Sequence, residues 1–200
     1  MCDSKSVGGK LLNFMKRVFD LLAALGLILT FAPLFLLVVL AIRLSSVGPV
    51  LFRTQRVGKG NKLFTMYKFR TMRIDTPQVA THLLKEPAQF LAPFGAFFRR
   101  TSLDELPQLI NVLSGDMTLV GPRPALFNQD DLVALRTARG VDALTPGITG
   151  WAQVNGRDEL PIPEKVKLDE WYLKNRSLWL DLKIIGMTVF KVIRKEGVAH

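Results

Sequence analysis

Two adjacent carboxylates, Asp104 and Glu105, follow Arg99, Arg100, Thr101 and Ser102 and open the run Leu103 to Leu113. The apolar spacing of that run predicts a helix, which puts the pair in a first helical turn. Two readings fit. Ser102-Leu-Asp-Glu105 matches a capping box, whose side chains satisfy backbone N–H groups left open at a helix start, and the helix dipole favours both charges. In the other reading one carboxylate attacks phosphorus, and its neighbour, about 100° around the helix, holds a divalent cation. Mg²⁺ suits that role because it binds through few carboxylates and shares phosphate oxygens. Arg99 and Arg100 stand where they could neutralise the same phosphates.

Two further segments offer anion-binding groups. Gly121-Pro122-Arg123-Pro124 fixes an arginine between rigid prolines, which limits the entropy lost when the guanidinium clamps an anion, although Pro-rich turns are common in themselves. The stretch from Thr145 to Arg157 offers backbone donors, the amides of Gln153 and Asn155, and Arg157, a set that could hold a nucleotide. No Walker motif or dinucleotide fingerprint appears. The single cysteine, Cys2, excludes an intramolecular disulfide framework and a cysteine zinc cage. With only His82 and His200, a histidine-rich metal site or a Ser/His/Asp triad is disfavoured. Any catalysis must then rest on carboxylates and basic residues, with or without a hard cation.

These groups must be positioned by a chain of 200 residues, enough for one domain and one membrane element. The formal charge of +10 implies an anionic partner: nucleic acid, acidic lipid or phosphorylated substrate. A mean hydropathy of +0.22 beside 22% charged residues means that the apolar content is concentrated. From Leu21 to Ile42 no residue is charged, and about 20 apolar residues span a bilayer as a helix. The run is too long for a cleaved signal peptide. Pro33 interrupts it, and both flanks are basic, with Lys10, Lys16 and Arg17 before and Arg43, Arg53, Arg56 and Lys59 after. A helix bent at Pro33 that enters and leaves by one face satisfies both features. Each arm of roughly 12 residues reaches about 18 Å, enough for one leaflet. A Pro-kinked single span is the alternative that the residues leave open.

Gly48-Pro49 ends the helical arm, and Val50 to Met72, turning at Gly58-Lys-Gly60-Asn61, reads as a small hairpin with a basic exposed face. Residues 74–90, with Pro77 and Pro87, read as a loop or short helix over the active face. Phe90 to Arg100 packs aromatics against paired arginines, which suits a helix at lipid headgroups or an amphipathic core helix. Residues 145–157 read as a loop. Pro163 to Lys195 reads as two helices meeting near Asn175, with Trp171, Tyr172 and Trp179 among basic residues, as at a membrane interface or on a packed helix with a solvated face. The expected fold is α+β and mostly helical. An N-terminal segment and membrane helix are expected over 1–45 and one further domain over 46–200, which the resemblance given next implies to be cytoplasmic and catalytic.

Five motifs in order, Lys68-Phe-Arg-Thr-Met72, Ser102-Leu-Asp-Glu-Leu106, Leu119-Val-Gly-Pro-Arg-Pro124, Pro146 to Arg157 and Asp181-Leu-Lys183, resemble the bacterial sugar transferases, the small monotopic phosphoglycosyl transferases. The likeness runs from about Lys16 to Val198. It implies that Asp104 attacks the β-phosphate of a UDP-sugar, expels UMP and forms an aspartyl phosphosugar, which polyprenyl (undecaprenyl) phosphate then takes. It implies Mg²⁺ on Glu105 and phosphates or nucleotide on Arg99, Arg123 and Arg157, with Gln153, Asn155 and Lys68 as further substrate-binding candidates. It also implies a re-entrant N-terminal helix at the cytoplasmic face of the bacterial inner membrane.

The capping reading is thereby demoted, though both can hold. The family commonly has Ser-Pro at the bend where this chain has Ala32-Pro33, so the bend must rest on Pro33 and packing. The extra spans and nucleotide-binding-like domain of larger members are expected to be absent. The implied partners are UDP-sugar, undecaprenyl phosphate and membrane lipid, not nucleic acid; a homodimer stays open. Two rivals remain. A membrane-attached basic scaffold that binds acidic lipid or nucleic acid would not need Asp104 and Glu105, and an assembly partner with a damaged site fits poorly with the intact pair.

Overall fold

A bent pair of helices opens the computed structural model of the chain, which describes residues 4–76, 87–156 and 160–194. Helix α1 (Ser4–Thr30) and helix α2 (Ala32–Ser45) meet at Phe31, and the segments Leu11–Thr30 and Ala32–Ser45 diverge by 62°. Pro33 lies in the first turn of α2, where a missing N–H costs that helix nothing. Among the described residues no single helix is long and apolar enough to cross a membrane. The outer faces carry exposed Phe14, Leu22, Leu25, Leu29, Leu36 and Leu40, while Asp20, Ala24, Val38 and Ile42 are buried against the rest of the chain.

The hairpin forms as its turn residues predict: β1 (Leu51–Val57) and β2 (Leu63–Phe69) are antiparallel, with Thr54 opposite Met66. Gly60 and Asn61 take φ of 62° and 59°, the left-handed region that glycine and asparagine tolerate best. Helix α3 (Gly95–Arg100) follows, then a 3₁₀ turn (Leu103–Glu105) and α4 (Gln108–Ser114). Strand β3 (Thr118–Val120) precedes β4 (Ala125–Leu126), which adds to the free edge of β1. After α5 (Asp130–Ala138), β5 (Gly147–Thr149) pairs in parallel with β3. Helices α6 (Trp151–Val154), α7 (Ile162–Asn175) and α8 (Leu178–Arg194) complete the order. The fold is α+β and mostly helical, and the break near Asn175 stands where the sequence puts it.

One core joins Ala24 of α1, Met66 of β2, Val112 of α4, Val120 of β3, Tyr172 of α7 and Ile184 of α8. Burying each large apolar side chain there contributes roughly 1.5–3 kcal/mol. A second cluster packs Val38 and Ile42 of α2 on Phe69 and Phe98, so the far arm of the bent pair rests on the hairpin and α3. Polar ties fix α1 as well. Lys16 reaches Asp181 at 2.6 Å, Arg17 donates to the Val112 and Leu113 carbonyls at 2.6 and 2.9 Å, and Asp20 accepts from Thr118 and the Leu119 amide.

Three expectations need correction. The helix expected over Leu103 to Leu113 is broken, because Pro107 starts α4 afresh and leaves residues 103–105 as a 3₁₀ turn. Ser102 has φ of 56° and makes no side-chain capping bond, so the capping box does not form. The loop expected over 145–157 contains β5 and α6. A Cβ at Gly147 would lie 2.1 Å from the Gly121 nitrogen, and one at Gly150 would lie 2.0 Å from the Gly121 carbonyl oxygen. The glycines of both motifs thus let two backbone segments touch. The expected segment over 74–90 includes Pro77, outside the described residues; its end, Pro87–Phe90, is a 3₁₀ turn.

Candidate active site

The end of β2 sets one wall of the site. Asn111 of α4 donates to the Thr65 carbonyl at 2.7 Å and accepts from the Tyr67 amide at 3.1 Å, so its amide acts as a partner strand to β2. Lys68 is thereby aimed at the 3₁₀ turn. Just beyond, Arg70 donates to the Ser46 hydroxyl and the Val47 carbonyl at 2.6 and 2.8 Å, which ties the exit of α2 to the same strand. Thr71 then meets α3 at Gly95, where a Cβ would lie 2.2 Å from the Thr71 carbonyl oxygen. That close approach lets the Arg99 Nε donate to the Thr71 hydroxyl at 2.9 Å.

Around this frame stand both carboxylates. Lys68 Nζ lies 2.7 Å from Glu105 Oε1, and Arg123, between β3 and β4, lies 3.7 Å from the same oxygen. Asp104 is only 8% exposed. Burial pushes its carboxyl up to about 6; Lys68 and Arg99 pull it back, and the Glu105 charge pushes it further up. Burial lowers the Arg99 pKa, partly offset by Asp104, but a guanidinium stays charged at neutral pH. The structure therefore brings Asp104, Glu105, Lys68, Arg99 and Arg123 together. A buried carboxylate whose pKa is raised to about 6, flanked by cations, can attack an electrophilic centre that carries negative charge.

The remaining candidates are arranged otherwise. Gln153 donates its amide to the Ile148 carbonyl at 3.1 Å and Asn155 donates to the Trp151 carbonyl at 2.8 Å, so both brace their own segment. The Gly121 and Gly147 amides bond to the Thr149 and Pro122 carbonyls, which removes two backbone donors expected to face a nucleotide. Arg157 lies outside the described residues. Ala32 and Pro33 begin α2. Thr71 and Asn111 were missed as site-building residues; the signal was a polar residue inside or beside an apolar element. Among the described residues no group of three or more His, Cys, Asp and Glu forms a metal cage. The oxygen donors of Glu105 and Asp104 fit a hard cation that completes its shell with phosphate oxygens and water.

The chain is 45% identical over 184 residues to the uncharacterized sugar transferase EpsL of Bacillus subtilis (strain 168), covering 92% of this chain and 90% of that protein. It is 40% identical over 187 residues to the UDP-glucose:undecaprenyl-phosphate glucose-1-phosphate transferase of Escherichia coli (strain K12), covering 90% of this chain and 40% of that protein. The UDP-N-acetylgalactosamine-undecaprenyl-phosphate N-acetylgalactosaminephosphotransferase of Aeromonas hydrophila is 42% identical over 191 residues, 92% of this chain and 45% of that protein. The chain spans less than half the length of these two transferases and most of EpsL. Since residues 11–195 match the family described as Bacterial sugar transferase, the chain belongs to that family.

Proposed function

We propose that this protein transfers a phosphosugar from a UDP-sugar to undecaprenyl phosphate with release of UMP, using Asp104 as covalent nucleophile. The observation that carries the reading is the buried Asp104 carboxylate beside Lys68 and Arg99. In the first displacement an Asp104 oxygen bonds to the β-phosphorus, and the bond from that phosphorus to the bridging oxygen breaks. UMP leaves with that oxygen. In the second, a phosphate oxygen of undecaprenyl phosphate bonds to the same phosphorus and the Asp104 carboxylate departs, free for another turn. Lys68, Arg99 and Arg123 offset the charge that gathers on the phosphoryl oxygens. Glu105, with the donor phosphates, would hold Mg²⁺, which supplies charge neutralisation on the diphosphate. Lys68, now on Glu105, must then share that carboxylate or shift toward phosphate.

The same reading makes the bent pair a re-entrant element. Its outward residues are apolar along both arms, its flanks are basic on both sides, and neither arm alone has the length and apolarity of a span. Both ends would then lie at the cytoplasmic face of the inner membrane. The relatives named above differ in sugar, so the donor is left to measurement. The test supplies purified protein with Mg²⁺, undecaprenyl phosphate and a panel of UDP-sugars, and follows UMP. Release of UMP that Asp104→Asn abolishes is the expected result; release of UDP or free phosphate would overturn the mechanism. For topology, an impermeant thiol reagent on Cys2 and a C-terminal tag should report the same side.

A further inference from the structure

Behind the inner face of α1 lies a cleft of about 430 Å³, lined in part by Lys16, Arg17 and Asp20 of α1, Lys59 of the hairpin turn, Tyr172 of α7 and Arg176 just after it. It shares no lining residue with the Asp104 site. Among the described residues that line it, four cationic side chains accompany one carboxylate, that of Asp20, whose oxygens already accept from Thr118 and the Leu119 amide. The donors are far from used up. Lys16 spends one of its three on Asp181, and Arg17 spends two of its five on the Val112 and Leu113 carbonyls. The Lys59 and Arg176 side chains have no hydrogen-bond or ion-pair partner among the described residues. A concave site of this size with unspent donors of one sign concentrates anions.

The neighbouring surface indicates where the anion comes from. On the turns of α1 that carry Lys16 and Arg17, the opposite side chains Leu11, Phe14, Met15 and Val18 are exposed and apolar. Trp179, three residues after Arg176, is 78% exposed. Cations turned inward beside apolar and tryptophan side chains turned outward match the headgroup level of a bilayer.

We propose that this cleft is a second anion site that takes a phosphate group, supplied by the headgroup of an anionic phospholipid. The lipid source rests on the membrane reading above, whereas the anion site itself does not rest on the Asp104 chemistry. The test reconstitutes the full chain in nanodiscs of phosphatidylcholine with a minor fraction of phosphatidylglycerol and weighs the complexes by native mass spectrometry. Lys59→Gln/Arg176→Gln should hold phosphatidylglycerol less tightly by on the order of tenfold. Lys59→Arg/Arg176→Lys, which keeps both charges, should hold it as the parent does, and so should Asp104→Asn, which separates this site from the catalytic one. In a parallel arm inorganic phosphate alone is titrated against melting temperature in detergent. If it stabilises the parent but not the Gln pair, while phosphatidylglycerol retention is the same in both, the site is kept and the lipid source is overturned. Equal lipid retention and equal phosphate stabilisation in parent and Gln pair overturn the site.

Discussion

Buried carboxylates occur in two regions of this molecule, and their surroundings differ in kind. In the scaffold each is filled with partners: Asp181 receives Lys16 and Tyr172 at 2.6 Å, Asp169 receives two N–H groups of Arg136, and Asp20 receives Thr118 and the Leu119 amide. Asp104 is buried to a similar degree. Among the described residues its one hydrogen bond comes from its own backbone N–H, and its cations act from a distance. A filled carboxylate joins elements, and its lone pairs are spent. An unfilled one is raised in pKa by burial and keeps lone pairs for an incoming electrophile. The difference separates structural from reactive acids by partner count instead of by burial.

The sharpest way to break this contrast is to neutralise the unfilled acid. Asp104→Asn should lower UMP release by at least about 10⁴-fold, as loss of a nucleophile does elsewhere. It should also leave the melting temperature equal or higher, because the buried charge it removes had few compensating bonds. A cooperative loss of folding in this variant would put Asp104 with the scaffold acids.

Next in size is the filled acid Asp169. Arg136→Met leaves its carboxylate buried without its partner and should cost about 3–5 kcal/mol, a fall of roughly 10 °C in melting temperature. Arg136 also donates to the Arg123 carbonyl at 2.8 Å, so UMP release should decline together with stability. Arg136→Met/Asp169→Leu should recover much of the stability, since the unpaired charge is gone. Unchanged melting in Arg136→Met would remove the distinction drawn here.

The pH response has opposite signs for activity and stability. Because the Asp104 carboxyl is raised from its ordinary value near 3.8 to about 6, the folded protein binds more protons than the unfolded chain between those values. This residue's contribution to stability therefore falls as pH rises through that window, while the ionised form of the proposed nucleophile, and with it the expected UMP release, should increase toward a plateau above about 6. Activity should drop roughly tenfold per pH unit below that point. Lys68→Met removes the largest cation acting on Asp104 and should move the midpoint up. A midpoint near 4 in the parent protein would show the carboxylate to be better solvated than its burial implies.

How much of this was legible in the residues depends on how local the cause is. Gly58-Lys-Gly60-Asn61 gives the hairpin because left-handed turns need such residues, and the apolar spacing gives the helices on either side of Asn175. The proposed catalytic cluster was reached through five motifs in order, and Lys68, Arg99 and Arg123 stand around the Asp104-Glu105 pair. Partner-filled acids were not legible, since Lys16 and Asp181 are 165 residues apart and Asp20 and Thr118 are 98 apart. Nor was the role of the glycine-rich stretch, whose need for glycine comes from Gly121 pressed against it. Local rules also favoured a capped helix at Ser102, where Pro107 and a left-handed residue impose a 3₁₀ turn.

The smallest expected effect belongs to Thr71, which touches neither carboxylate yet holds the cation beside one of them. Its hydroxyl accepts from Arg99 Nε at 2.9 Å, and Arg99 is among the charges that lower the Asp104 pKa. Thr71→Val keeps the shape and removes the acceptor. The guanidinium then loses its anchor, its average distance from Asp104 increases, and the carboxyl titrates higher. UMP release at pH 7 should fall several-fold to about tenfold, the activity midpoint should move up, and Thr71→Ser, which restores the acceptor, should recover both. A loss of rate with the midpoint unmoved would mean that Thr71 acts through packing at Gly95 and not through Arg99, leaving Lys68 as the main control on the nucleophile.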